Sequence, residues 1–374
     1  MIIHIFSKLP PPLTGQTLGT KIVYDFLNSK NFNLNLYNIS ISKKLKKEQF
    51  NLIYSFKLIL KFLTQLYSLK RKIKFGDVVY FIPASSFFGI LKDVVFCFFL
   101  KNNVRIVGHV RSGNLPIIYN TYRLKLLTNY IINKVTLYIF LSKNLSTAAG
   151  SIPSHKKTFV KNPIDSEIVG SVDEINKRLN KIKNRNTNNL KIIFISNMIK
   201  SKGYFDLLES VEYLKSCFNF NFSITFIGKW RNNKDKIEFF NQLSKVNLIE
   251  NIDCKYVGYL DNRKEIKKYL LDSDLFCLPT YYPVEAQPRS IIEAMSNGLP
   301  IISTNHASIP EVVQDKKNGF LINPKDPLKI AESIINYTNK ETLIKHSKTS
   351  YEIYNKDFAE TQLLNLLTKK IINE

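Results

Sequence analysis

The stretch from Leu275 to Thr304, LFCLPTYYPVEAQPRSIIEAMSNGLPIIST, constrains this chain more than any other. Leu275 to Leu278 is an apolar run with the character of a buried strand, and Pro279, with no N–H to give a ladder, ends it. Pro288 stands where a helix accepts proline, in its first turn, and Arg289 to Asn297 carry helix formers. Gly298 supplies the C′ residue and Pro300 keeps the helix from continuing. The loop before the helix therefore brings backbone N–H groups to the positive end of a helix dipole, an anion site suited to phosphate. Glu285 lies in that loop and Glu293 one turn into the helix, with seven residues between them. Phosphate repels carboxylates, so two acids at this place make sense beside a ligand that also carries hydroxyls, as ribose and hexose do. On spacing alone, Glu293 pairing with Arg289 one turn back, with Glu285 solvated, explains the pattern equally well.

Before and after this stretch, strand-like and helix-like segments alternate. Strands are expected at Ile2 to Phe6, Val78 to Pro83, Val104 to Val110, Thr136 to Leu141, Leu190 to Ile195 and Phe222 to Gly228, with helical patterns between. That alternation predicts parallel sheets with helices on both faces, and 374 residues suit two such domains. Phe87 to Leu100 is strongly apolar but too short to cross a bilayer, and reads as a helix on the sheet. The four cysteines, Cys97, Cys217, Cys254 and Cys277, lack metal or redox spacing and read as buried thiols of a reducing compartment. The chain starts directly on a strand, so no signal peptide is expected. Asp272-Ser273-Asp274 has the form of a metal-binding DxD but sits between a helix and a strand, and reads as a boundary feature; no metal is expected.

Charge is distributed unevenly. Up to Pro163 there are 24 lysines and arginines against four acids, while the remainder holds 30 against 26. The N-terminal half is a polycation and implies a polyanionic partner. Residues 41–75 mix lysines with apolar residues at helical spacing, placing Phe56, Ile59, Leu60 and Leu63 on one face. Two readings fit: a basic amphipathic helix on an anionic membrane surface, or a core-packed helix with solvated lysines. A strand-to-helix turn holds Gly15 and Gly19 without dinucleotide-binding spacing. A lone histidine such as His109, by itself, serves structure more often than ligands.

The run from Glu285 to Glu293, EAMSNGLPIIST, Ile309-Pro310-Glu311-Val312-Val313 and Asn318-Gly319-Phe320-Leu321 together resemble the EX7E signature of the GT-B retaining glycosyltransferases of group 1, or family 4. The resemblance implies two Rossmann-like domains facing across a cleft. The first is 1–165, binds the acceptor, and is completed by a C-terminal helix, 357–374; a connector, 166–188, leads to a nucleotide-sugar domain, 189–356. Ser196 to Gly203 is similar to the family's phosphate loop, so Lys202 is expected on the donor diphosphate, with Asn197 where an arginine is usual and Arg289 as its substitute. Glu293 would accept from the ribose hydroxyls. Glu285, with Ala286, Gln287, Pro288, Arg289 and Ser290, would hold the sugar and distal phosphate; Ala286 replaces the usual glycine. His109 matches a cleft histidine that meets the transferred sugar or positions the acceptor, with Arg111 beside it, and Gly15 and Gly19 match the acceptor and phosphate-facing loop.

The implied activity is transfer of a sugar, with retained configuration, from a nucleotide-diphosphate sugar to a lipid-linked or cell-surface glycan. The implied setting is bacterial polysaccharide assembly at the inner face of the membrane, without a cofactor. A nucleotide-sugar 2-epimerase of the same fold is the alternative within the family. A non-catalytic polyanion binder explains the charge but not the anion loop, and no nucleic-acid motif is present.

Overall fold

The computed structural model describes residues 1–11, 14–40, 52–100, 104–185, 188–215 and 220–373. The chain divides into two units, Met1–Pro163 with Glu360–Glu374, and Ile164–Ala359.

Unit 1 runs β1 (Ile3–Ser7), α1 (Gly15–Ser29), β2 (Leu34–Asn38), α2 (Leu52–Lys72), β3 (Val78–Phe81), α3 (Phe87–Phe99), β4 (Arg105–Val110), α4 (Asn114–Tyr119), α5 (Lys125–Lys134), β5 (Leu137–Phe140), α6 (Lys143–Ala148) and β6 (Lys157–Phe159). Its strands are parallel in the order β2-β1-β3-β4-β5-β6. β1 and β3 are buried at every residue, as strands covered on both faces by crossover helices must be; β3 is apolar throughout, while β1 also buries His4 and Ser7. α1 begins behind Thr14, whose side chain accepts from Thr17 N–H while Thr17 returns the bond to the Thr14 backbone.

The helix expected within 41–75 is α2; residues 41–51 lie outside the described ones. Among its described side chains Phe62, Leu66 and Leu69 are buried, with Ile73 just past its end, whereas Phe56, Ile59, Leu60 and Leu63 are all exposed, Phe56 to 65%. The face singled out in the sequence is therefore not the one that packs. α3 behaves alike: Ile90, Phe96 and Cys97 are buried, while Phe87, Phe88, Leu91, Val95 and Phe98 face solvent, Phe88 to 81%. Cys97, Cys254 and Cys277 are buried free thiols; Cys217 lies outside the described residues.

Unit 2 runs α7 (Val172–Asn184), β7 (Asn189–Ile195), α8 (Tyr204–Leu214), β8 (Asn221–Ile227), α9 (Asn233–Val246), β9 (Ile252–Gly258), α10 (Arg263–Asp272), β10 (Leu275–Leu278), α11 (Arg289–Met295), β11 (Ile301–Thr304), β12 (Gly319–Ile322), α12 (Pro327–Asn336) and α13 (Lys340–Asp357). Its parallel sheet has the order β12-β11-β10-β7-β8-β9. The last helix, α14 (Glu360–Ile372), belongs to unit 1, where Arg105 donates to the carbonyls of Ile371 (2.9 Å) and Lys370 (3.0 Å).

The connector expected over 166–188 is instead largely α7, an integral helix of unit 2. A reciprocal Ser171–Glu174 capping box starts it, and Ile175, Leu179 and Ile182 bury one face. Arg178 is 5% exposed and donates to the carbonyls of Ser273 (3.0 Å), Gly298 (2.9 Å) and Asp274 (2.7 Å). Burial draws its pKa down to about 10, with Arg185 adding to the fall and Asp274 opposing it, so it stays charged at neutral pH. The polar, Asn-rich composition hid a helix that ties together the ends of α10 and α11.

Candidate active site

In unit 2, β7 and β10 are neighbours at the middle of the sheet. From β7 the chain moves outward through β8 and β9, and from β10 in the opposite direction through β11 and β12. Right-handed crossovers in opposite directions leave on opposite faces, so the loops after β7 and β10 part above the strand ends. Such a switch point is where open α/β sheets hold their ligands.

The loop after β7 ends at Gly203, which has φ +81°. A Cβ there would lie 2.2 Å from the Pro279 carbonyl oxygen, so only glycine lets the two loops meet. Tyr281 N–H donates to the Ser201 carbonyl at 2.8 Å and fixes that contact. Lys202, 9% exposed, thereby faces the loop after β10, where its ammonium is ion-paired with Glu285 and lies 4.7 Å from the Tyr282 ring centroid. Separate tasks were expected of these two residues; the structure joins them in one contact. Asn197, in the same loop, is exposed.

Beyond Glu285, the buried residues Ala286, Gln287 and Pro288 lead into α11, which starts with Arg289 and Ser290. Ser308 Oγ donates to the Ala286 carbonyl and anchors the loop from β11's side. α11 closes as the sequence predicts: Gly298, at φ +69°, donates to Met295 O (2.9 Å) and Leu299 N–H to Ala294 O (3.1 Å), a Schellman ending.

Glu293 is 6% exposed, and its Oε1 accepts from Arg263 Nη2 at 2.5 Å. Arg263 also lies 3.8 Å from Asp165. Arg289, four residues back, is not the cation on Oε1. The sequence reading missed Arg263 because nothing local marks it: it opens α10, thirty residues earlier, and meets Glu293 only through the tertiary fold. Tyr282 was missed likewise; its carbonyl is 2.8 Å from His306 Nε2, and its ring lies under Lys202. Asp272 is held by Lys181 (3.2 Å) and Lys191 (2.8 Å), and Asp274 by Arg185 (2.8 Å), at the junction of α10 and β10.

Unit 1 holds the other residues singled out in the sequence. His109, expected to face open space, lies inside β4 and is fully buried, because β4 is an interior strand. Its Nδ1 is 2.7 Å from Tyr80 Oη and 3.4 Å from Arg111 Nη2. Burial, reinforced by the Arg111 charge, holds its pKa well below the ordinary histidine value, so the ring is neutral. Gly15 and Gly19 belong to α1 itself rather than to the preceding loop. Gly19 makes room for Arg111: a Cβ would lie 1.7 Å from Nη1, and the Gly19 carbonyl accepts from Nη2 at 3.2 Å.

The chain as a whole is similar to known proteins. Residues 176–356 match the family model "Glycosyl transferases group 1". A 41.2 kDa protein of the cps region of Klebsiella pneumoniae is 26% identical over 269 residues, 68% of each chain. The putative colanic acid biosynthesis glycosyltransferase WcaL of Escherichia coli is 28% identical over 190 residues, covering 48% of this chain and only 45% of WcaL. Among solved structures, Anabaena HepE in complex with UDP superposes over 100% of both chains with a TM-score of 0.73 at 16% identity. The chain therefore has the GT-B fold of two Rossmann-like domains, and its residues 176–356 are similar to the group 1 glycosyltransferases.

Proposed function

We propose that the chain transfers a sugar from a nucleotide-diphosphate sugar, with retention of anomeric configuration, to a lipid-linked or cell-surface glycan in bacterial polysaccharide assembly. The observation that carries this reading is the Lys202–Glu285 ion pair between the loops after β7 and β10, with Glu293 in the helix that follows the second loop. A ligand there meets a cation suited to a diphosphate and two carboxylates suited to hydroxyls. The names of the E. coli and Klebsiella relatives support the polysaccharide setting, and the HepE complex supports a uridine nucleotide as the first donor to try. In this mechanism Glu293 accepts from the ribose hydroxyls and Glu285 from the sugar. Lys202 stabilises the charge that grows on the leaving diphosphate, with Arg289 at the start of α11 in support. Asn197 borders the same crevice. Ala286 to Ser290 shape the loop around the distal phosphate. The acceptor binds unit 1, where neutral His109 positions Arg111 beside Gly19, and Gly15 opens α1. Neither a metal nor a cofactor has a role in this scheme.

The test is turnover of a panel of nucleotide sugars, with the anomeric configuration of the product read by proton NMR. Glu293→Gln should lower kcat/KM by about 10–150-fold, equivalent to the roughly 1.5–3 kcal/mol of hydrogen bonds to a charged group; because the variant also takes the carboxylate from Arg263, turnover is compared below its melting temperature, with circular dichroism checking that it is folded. An inverted product, or undiminished turnover in the variant, would overturn the reading.

The exposed apolar faces of α2 and α3 fit attachment to an anionic membrane surface at its cytoplasmic face. Among the described residues, no helix is long and apolar enough to cross a membrane. α2 sets Phe56, Ile59, Leu60, Leu63 and Tyr67 outward with Lys57 beside them, and ends in Lys70, Arg71 and Lys72. Burying one phenylalanine contributes about 1.5–3 kcal/mol, so Phe88→Ser should weaken binding to phosphatidylglycerol vesicles at least about tenfold. Unchanged co-sedimentation of that variant would remove the membrane assignment.

A further inference from the structure

The strand order of unit 1 creates a second switch point. β1 leads through α1 to β2 on one side, while β3, its other neighbour, leads through α3 to β4 in the opposite direction. The connections part above the ends of β1 and β3, and a cavity of about 390 Å³ opens there. This is within the roughly 300–1,000 Å³ of small-molecule sites.

The two halves of the cavity differ in chemistry. Its polar side is formed by Ser7, Lys8, Gln16, Thr20, Ser86, Lys92 and the carboxylate of Asp93. Lys92 is 3.0 Å from buried Asp93, which also accepts the Ala84 N–H at 2.6 Å. Lys8 has no carboxylate within ion-pair distance among the described residues. Burial and the Lys92 charge both lower its pKa, so the two ammonium groups repel each other across the cavity. Ser86 caps α3 by accepting from Gly89 N–H, which turns the positive end of a 13-residue helix toward the same space. Two cations and a helix start favour an anion between them.

The opposite side is apolar, with Phe6, Phe62 and Phe96 in its wall, a poor setting for a bare inorganic ion. Ile59 lines the cavity and is also 57% exposed, within the outward stripe of Phe56, Ile59, Leu60, Leu63 and Tyr67. The cavity is thus continuous with the apolar face of α2.

Resting on the acceptor role given to unit 1 above, we propose that this cavity binds a single-chain lipid phosphate, the carrier end of the acceptor. The phosphate sits between Lys8 and Lys92 at the start of α3. The hydrocarbon lies against Phe6, Phe62 and Phe96 and leaves over Ile59 along α2. Charge complementarity at one end and apolar continuity at the other select an amphiphile with one chain over a free phosphate or a neutral lipid.

Calorimetry with farnesyl phosphate, farnesol and inorganic phosphate on the intact chain tests this. Farnesyl phosphate should bind at least tenfold more tightly than either other probe, and Lys8→Gln and Ile59→Asp should each weaken it about tenfold. Lys92→Gln strands Asp93 and can destabilise unit 1, whereas Lys8 has no carboxylate to strand among the described residues, so Lys8→Gln carries the test. Equal affinity for farnesol, equal affinity for inorganic phosphate, or an unchanged affinity in Lys8→Gln would overturn the proposal. UDP binding, measured in the same samples, separates the two readings. UDP binding without farnesyl phosphate binding sinks the lipid site alone, whereas absent UDP binding sinks the donor assignment.

Discussion

Lys202 and Glu285 form an ion pair, and its two members should respond to mutation in opposite directions. Both side chains are largely buried, at 11% and 9% exposure, so neither charge is well screened by water. A diphosphate that reaches Lys202 must compete with the Glu285 carboxylate. Removing the cation in Lys202→Met takes away a hydrogen bond to a charged group, about 1.5–3 kcal/mol, or roughly 10–150-fold in affinity for UDP. Glu285→Gln removes the competing negative charge while keeping a polar group of the same shape. Two unit charges 4 Å apart in a partly exposed site interact by about 4 kcal/mol, most of it offset by the altered contact with Lys202. A gain of about 1 kcal/mol, some fivefold tighter UDP binding, is the expected net result. The same variant should lose sugar transfer, because its carboxylate is the group assigned to the sugar hydroxyls. Calorimetry with UDP, beside turnover with the preferred nucleotide sugar, reads both quantities. Weaker UDP binding in Glu285→Gln, by as much as in Lys202→Met, would show that the acid helps hold the nucleotide, and the competition argument would fail.

Arg178→Met should destabilise unit 2 by roughly 3–5 kcal/mol in urea unfolding, since three buried carbonyls lose their donor; a loss below about 1 kcal/mol would mean that water replaces it. His109 gives stability a pH dependence: its folded pKa is depressed, so below about pH 6.5 the unfolded chain binds a proton that the native ring refuses, and stability falls as pH falls. The slope is at most about 1.4 kcal/mol per pH unit until the folded value is reached, so His109→Gln should make the loss of stability between pH 7.5 and pH 5 smaller. Identical losses in the two proteins would show that the ring is protonated in the native state.

What could be read in advance follows from where each signal is stored. β10, α11 and β11 were legible because proline, glycine and apolar runs act locally: Pro279 ends a strand, and Gly298 adopts a conformation that few other residues tolerate. α7 was also written locally, in the Ser171–Glu174 cap and the Ile175, Leu179, Ile182 spacing, but a polar composition outweighed that periodicity. The Arg263–Glu293 pair was not legible, because it depends on how α10 and α11 pack within the fold. Nor was the burial of His109, since a histidine near the end of an apolar run looks the same on an edge strand and on an interior one. In α2 only the outward face of Phe56, Ile59, Leu60 and Leu63 was singled out, and the packing face of Phe62, Leu66 and Leu69 emerged with the neighbouring strands.

Both sheets use the same device, a reversal of strand order that parts two loops, so the fold fixes where ligands enter and leaves the chemistry to the residues placed there. In unit 2, each acid expected to touch the donor already faces a cation, Glu285 with Lys202 and Glu293 with Arg263, and the sequence beyond Pro163 is nearly balanced in charge. Attraction for a diphosphate must therefore come from groups aimed at it, which favours specificity over general anion binding. In unit 1 the balance is absent: Lys8 faces Lys92, the sequence up to Pro163 carries 24 basic residues against four acids, and the aromatic wall beside the lysines is lined for hydrocarbon. A long-range positive field gathers anionic amphiphiles or surfaces without selecting among them. The cavity at the end of β1 and β3 then supplies the selection that the field lacks.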